Sequence, residues 1–257
     1  MLRTNKTKAK LLAGEPVYGA GINFEAPALV ELLGVLGMNF VMIDCEHGPM
    51  GEETVEQMVR AAEAFDITPM ARVPNGESDT ILRFLDRGVQ GFMAPHVSTK
   101  EEAEAIVQAA RYYPDGERGY TGGSRAADYG VGVTRERWVA HANANVLVMG
   151  MVEDIRAVEN LPQILSVKGL DTIMIGPNDL AQTMGFPPQE KVDATIEKVV
   201  RESRAAGKSV GLGAVPPWNV ERIRHFRQVG VQLYTVGALL FVQRGVQEYL
   251  KAVRGEK

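Results

Sequence analysis

Asp44-Cys45-Glu46-His47-Gly48-Pro49 follows the apolar run Phe40-Val41-Met42-Ile43, which sets two carboxylates and an imidazole at the exit of a segment that reads as a buried strand. A carboxylate beside an imidazole is the raw material of acid–base chemistry. α/β enzymes gather such groups where their strands end. Other strand-like runs in the chain also close on polar or ionisable residues, among them Arg72, Glu153 and Asp179. One site assembled from many strand ends is the expectation.

The elements that would position those residues are short. β-rich or apolar runs stand at Val17–Ile22, Phe40–Asp44, Thr68–Arg72, Gly91–Ala94, 146–152, Thr172–Ile175, 209–213 and 233–236. Between them lie patterns with apolar residues on one helical face, such as Val55, Met58, Val59 and Ala62, or Ile106, Val107 and Ala110. Strands alternating with helices predict a parallel sheet covered by helices. Eight such units in 257 residues fit a (β/α)8 TIM barrel better than an open doubly wound sheet. No linker or shift of composition divides the chain, so a single barrel domain over 1–257 is expected. Gly19-Ala20-Gly21-Ile22-Asn23-Phe24 lacks the third glycine of a dinucleotide fingerprint and reads as a glycine-rich turn.

Sorting residues by strand end separates chemistry from stability. Asp44, Glu46 and His47 follow the second strand, Arg72 closes the third, His96 follows the fourth, Glu153 closes the fifth and Asp179 follows the sixth. Lys168 and Lys208 instead precede strands six and seven, at the opposite face, so a Schiff-base lysine is not expected. If the barrel handles a carbonyl compound, a metal held by carboxylates is then the natural electron sink, with Glu153 and Asp179 as candidate ligands. Two carboxylates, with water and substrate oxygens filling the other positions, suit magnesium or manganese; cobalt or zinc is the softer alternative. Either carboxylate also has an ordinary reading as a helix cap or surface charge, and Asp179 is placed to cap a helix starting near Leu180.

The net charge of −4, the absence of a basic block and the scarcity of aromatics give no footprint for nucleic acid. A small-molecule substrate is expected. The single cysteine excludes an intrachain disulfide, and residues 1–10 with the short apolar stretch after them read neither as a signal peptide nor as a membrane span; a cytoplasmic location is the expectation.

Taken together, Ile43-Asp44-Cys45-Glu46-His47-Gly48-Pro49, Ala71-Arg72-Val73-Pro74, Leu85-Asp86-Arg87-Gly88, Arg118-Gly119, Met151-Val152-Glu153, Leu161-Pro162-Gln163-Ile164 and Ile175-Gly176-Pro177-Asn178-Asp179-Leu180 resemble the HpcH/HpaI-type metal-dependent class II pyruvate aldolases. That family includes the hydroxyoxoheptanedioate and 2-keto-3-deoxy acid aldolases and macrophomate synthase-like members. The resemblance runs along nearly the whole chain. It implies a barrel that forms hexamers and splits 4-hydroxy-2-oxo acids reversibly into pyruvate and an aldehyde through a metal-stabilised enolate.

By the same resemblance Glu153 and Asp179 are the metal ligands, His47 is the catalytic histidine, Asp44 is its carboxylate partner and Arg72 holds the pyruvate or enolate. Gly176, Pro177, Asn178 and Gly213 are expected to contact substrate. Gly21-Ile22-Asn23-Phe24 and Gly213-Ala214 depart from bulkier family residues, which leaves room for the aldehyde portion near Asn23 and Trp218. Glu46 is expected behind the site, either binding metal-ligated water or fixing the loop, and Cys45 as a small buried residue without a role. His96 stands at the right strand end but the sequence names no partner for it. The glycine-rich segment 115–130 is too long for an idle connection yet starts at the wrong face; Asp86 and Arg125 are candidates to complete a neighbouring subunit's site. The apolar Leu240, Phe241, Val246 and Leu250 of a C-terminal helix over 239–253 exceed what an outer helix needs, as expected of a helix packing on a neighbour. The rival readings are an oxaloacetate-type decarboxylase using the same residues, a non-catalytic 2-oxo-acid or metal-binding barrel, and a phosphate-binding barrel, the last disfavoured by Gly211 to Pro217 and Gly237-Ala238.

Overall fold

The computed structural model of the chain describes residues 2–255. Eight parallel strands close into a barrel in sequence order: β1 (Val17–Ile22), β2 (Phe40–Asp44), β3 (Thr68–Arg72), β4 (Gly91–Ala94), β5 (Leu147–Val152), β6 (Thr172–Ile175), β7 (Ser209–Leu212) and β8 (Leu233–Gly237), with β8 pairing back to β1. Five of the eight strands match the sequence expectation residue for residue. The others differ by one residue at one end, where a strand's last ladder bond rather than its apolar run sets the boundary.

Period-two alternation decides what each strand shows to the lumen. Phe40, Met42 and Asp44 point inward on β2, beside Met70 and Arg72 on β3, and Leu147, Met149 and Met151 continue the pattern on β5. The intervening Val41, Ile43, Ala71, Val148 and Val152 face out and bury against the helices. Glu52–Ala64 meets them with Val55, Met58, Val59 and Ala62, and Lys100–Ala110 with Ile106, Val107 and Ala110, so the helical faces read from sequence are the buried ones. Each such aliphatic side chain contributes about 1.5–3 kcal/mol by leaving water. Phe40 packs so tightly against Gly19 that a Cβ there would fall 2.5 Å from its ring. Phe40→Ala would open a hole costing about 3–5 kcal/mol.

The helix Lys6–Leu12, which no motif announces, plugs the N-terminal end of the barrel. Asn5 caps it, accepting from the Lys8 N–H at 2.8 Å, and also donates to the Gln90 carbonyl at 2.8 Å; Leu11 joins the lumenal cluster. At the same end the glycine-rich segment is held low. Arg118 Nη2 donates to Asp86 at 2.7 Å, Arg125 pairs with Glu63, and Arg3 with Asp128 at 2.9 Å. Asp86 and Arg125 therefore stand at the floor of their own barrel, away from the mouth.

The C-terminal helix Ala238–Arg254 buries Ala238 alone and leaves Leu239, Phe241, Val242, Val246, Tyr249 and Val253 exposed. Among the described residues no helix is long and apolar enough to cross a membrane.

Candidate active site at the barrel mouth

All seven ionisable residues sorted to the mouth from sequence lie there. Asp44, His47, Arg72 and Asp179 line a cavity of about 330 Å³, together with Gly176, Pro177, Asn178 and Gly213. Its deeper wall is methionine: Met42, Met93, Met151 and Met174. Asn23 and Ala214 also face it, whereas Trp218 stands apart under the Arg244 guanidinium, 5.2 Å from the ring centre. Among the described residues no lysine lines this cavity; Lys208 donates instead to the Val167 and Leu170 carbonyls at the floor.

Asp44 and Arg72 are register partners on β2 and β3, so their side chains leave neighbouring backbones in the same direction. The guanidinium fork takes the carboxylate bidentately: Nε donates to Oδ1 at 2.9 Å and Nη2 to Oδ2 at 2.6 Å. Oδ1 also accepts the backbone N–H groups of Glu46 and His47, at 3.3 and 3.2 Å. This corrects the expectation that Asp44 orients the His47 imidazole, because both carboxylate oxygens are committed to Arg72 and the loop. Burial alone would raise the Asp44 pKa, but the Arg72 hydrogen bonds and charge outweigh it and hold the carboxyl below its ordinary value. Burial likewise works against the Arg72 charge, and Asp44 and Glu46 overcome it, leaving the guanidinium pKa raised.

Glu46 sits beyond Arg72, with Oε2 3.0 Å from Nη1. The contact lacks hydrogen-bond alignment, so this buried oxygen has no hydrogen-bond partner. His96, unplaced from sequence, joins here: its Nε2 lies 3.4 Å from Glu46 Oε1 and its Nδ1 3.2 Å from Glu153 Oε1. No local signal marks these contacts, since they span three strand ends.

Glu153 is 3% exposed. Burial pushes its pKa up; the His96 contacts oppose this, and the charges of Glu46 and Asp179 add to it. Its Oε2 occupies space that only a glycine leaves, 2.9 Å from where a Cβ on Gly176 would stand. Asp179 lies in the first turn of Pro177–Thr183, whose cap is Gly176, and its side chain makes no cap hydrogen bond. The cap reading of Asp179 thus falls away. Among the described residues no group of three or more His, Cys, Asp or Glu side chains is arranged to hold a metal ion. Cys45, buried and pushed up to about 12 by burial and then by Asp44 and Glu52, offers no reactive thiolate.

Residues 22–241 match the HpcH/HpaI aldolase/citrate lyase family. The chain is 34% identical over 244 residues to a 2-keto-3-deoxy-L-rhamnonate aldolase of Klebsiella pneumoniae, an alignment covering 91% of this chain and 90% of the relative. It is 35% identical over 246 residues to a 4-hydroxy-2-oxovalerate aldolase of Novosphingobium aromaticivorans, covering 95% and 89%. Among solved structures, that of a citrate synthase superimposes with a TM-score of 0.87 at 29% identity, over 98% of each chain. A closed barrel with its acids, guanidinium and imidazole at one mouth, and a family match over most of its length, lead to one statement: the chain is an aldolase-type lyase belonging to the HpcH/HpaI aldolase/citrate lyase family.

Proposed function

We propose that the protein is a metal-dependent pyruvate aldolase that cleaves 4-hydroxy-2-oxo acids reversibly to pyruvate and an aldehyde. The observation that carries this reading is a locked guanidinium at one cavity mouth beside two carboxylates, Glu153 and Asp179, neither of which pairs with a lysine or arginine among the described residues. The residues present fit a hard divalent ion such as magnesium or manganese. The donors are carboxylate oxygens, Gly176 leaves the space that Glu153 Oε2 fills, and Glu46, whose Oε2 meets Arg72 without a hydrogen bond, adds its charge to that of Glu153. Bound between Glu153 and Asp179, the ion would supply Lewis-acid polarisation of the 2-oxo group.

The chain's own residues do the rest. Arg72, held on two edges by Asp44 and Glu46, cannot swing away and presents its remaining N–H groups to the oxyanion that develops as the carbon–carbon bond breaks. A donor fixed in this way is worth about 2.7–4 kcal/mol at the transition state. His47, exposed to the cavity and with no hydrogen bond from its ring to Asp44, takes the proton of the 4-hydroxyl. Gly176, Pro177, Asn178 and Gly213 form the wall against the substrate, and the methionines behind them keep water from the reacting carbon. Since a neighbour of the same fold is a citrate synthase, the carbonyl that meets the enolate is the variable part of the reaction.

Two further elements belong to this reading. The exposed apolar face of Ala238–Arg254 favours a homo-oligomer, a hexamer by the family resemblance. Asp86 and Arg125, remote from their own mouth, are the residues a neighbouring copy would receive.

The test is pyruvate release from a panel of 4-hydroxy-2-oxo acids by EDTA-stripped protein, before and after magnesium, manganese or cobalt is restored. Metal-restored release that Glu153→Gln lowers by about 10³-fold, equivalent to about 4 kcal/mol, is the expected result. Metal-dependent loss of oxaloacetate without aldol cleavage would reassign the protein as a decarboxylase. Silence on both would leave a binding barrel.

A further inference from the structure

His96 is the ionisable residue at the mouth that the reaction above does not use. It has φ 55°, a left-handed backbone that few side chains adopt and that His, Asn and Asp tolerate better than most. That conformation turns its backbone N–H onto Glu153 Oε1 at 2.8 Å. The ring, although 69% exposed, spans two carboxylates, with Nδ1 3.2 Å from the same Glu153 oxygen and Nε2 3.4 Å from Glu46 Oε1. Glu46 continues to Arg72 at 3.0 Å, and Arg72 to Asp44. Four neighbouring strand exits, β2 to β5, are thereby tied into one chain of contacts.

The consequence falls on Glu153. A carboxylate buried to this degree with both oxygens free would have two ways to meet a cation. Here Oε1 accepts the His96 backbone N–H and has the ring Nδ1 3.2 Å away, while Oε2 accepts no hydrogen bond from the described residues and lies against Gly176, at the head of the turn that carries Asp179. We propose that His96 is a positioning residue: by occupying Oε1 it selects Oε2 as the oxygen offered to a divalent cation, and through Glu46 it ties that ligand to Arg72. The partners of metal ligands commonly act in this way, fixing the orientation of a donor atom they never replace.

The inference rests on Glu153 being a cation ligand, and the experiment separates the two. Mn2+ binding to the metal-stripped full-length protein is followed by electron paramagnetic resonance, both as loss of the free-ion signal and as the line shape of the bound ion. The variants are His96→Gly and His96→Asn, both of which accept φ 55°, with Glu153→Gln as the control. Wild type is expected to bind and Glu153→Gln to lose binding. His96→Gly should weaken binding about 10- to 100-fold and broaden the bound-ion spectrum. His96→Asn, which retains one side-chain donor, should recover part of the affinity. Wild-type affinity and line shape in both His96 variants, with Glu153→Gln defective, would overturn the positioning role and leave the ligand reading intact. Unchanged binding in Glu153→Gln, or none in wild type, would overturn both.

Discussion

The two ends of the barrel both bury charge, and they treat it in opposite ways. At the floor, Lys8 Nζ donates to the Val146 carbonyl at 2.7 Å and pairs with Asp171 at 3.2 Å; Arg111 joins Asp171 and the Gly169 carbonyl; Lys208 donates to two further carbonyls. Asp171 also accepts the Val148 N–H at 2.9 Å. Cation and anion are closed on backbone and on each other, and only Arg111 Nε among these named charges goes without a hydrogen-bond partner. At the mouth, Asp44, Glu46 and Glu153 surround Arg72, the one guanidinium lining the cavity among the described residues, Asp179 lines the same cavity, and Glu46 Oε2 is left without a hydrogen bond. Buried charge alone therefore does not mark a site. What sets the mouth apart is an excess of carboxylates over cations, with a carboxylate oxygen among its unsatisfied atoms.

The comparison can be broken by substitution at either end. Arg72→Lys is expected to have the largest effect, lowering turnover about 10²- to 10³-fold in a pyruvate-release assay, since a point charge cannot hold Asp44 bidentately and face substrate as well. Lys8→Met, at the floor, is expected to shift the urea midpoint by the equivalent of about 1–3 kcal/mol while the folded enzyme keeps wild-type kcat. Loss of kcat in Lys8→Met on the scale of Arg72→Lys would erase the distinction between the ends.

A smaller effect follows from the depressed pKa of Asp44. Its unfolded carboxyl titrates near ~3.9. The stability contributed by the pair is thus complete above that pH and lost as pH falls through the lower folded value. Unfolding midpoints measured between pH 6 and pH 3 should fall less steeply for Asp44→Asn than for wild type. Least of all should be seen at Cys45: with its thiol pushed up to about 12 and buried, the native protein should show no reaction with a thiol reagent at pH 8, and one thiol after denaturation.

Sequence was most informative where periodicity carries the signal. In Phe40, Met42, Asp44 and in Met149, Met151, Glu153, the alternation places an ionisable residue at the next inward position after apolar ones, so the strand, its face and the mouth are all read together. What the chain withholds are contacts between elements. The Asp44–Arg72 fork depends on the register of β2 against β3, and without it a histidine three residues away was the nearer partner to assign. His96 gains its meaning from Glu46 and Glu153, 50 and 57 positions away in the numbering. The helix Lys6–Leu12 is too short and too polar to announce a plug, and becomes one only because Asn5 and Lys8 meet carbonyls that the barrel end leaves open.

The lumen beneath the site holds Met42, Met70, Met93, Met149, Met151 and Met174, a wall of unbranched thioethers where branched aliphatic residues would be stiffer. Such side chains change rotamer without disturbing the backbone that carries them. The contour of the chamber and the placement of its charges are accordingly governed by separate parts of the chain: the hoop of strands keeps the acids and the guanidinium in register, while the soft lining beneath can be remoulded to guests of different outline.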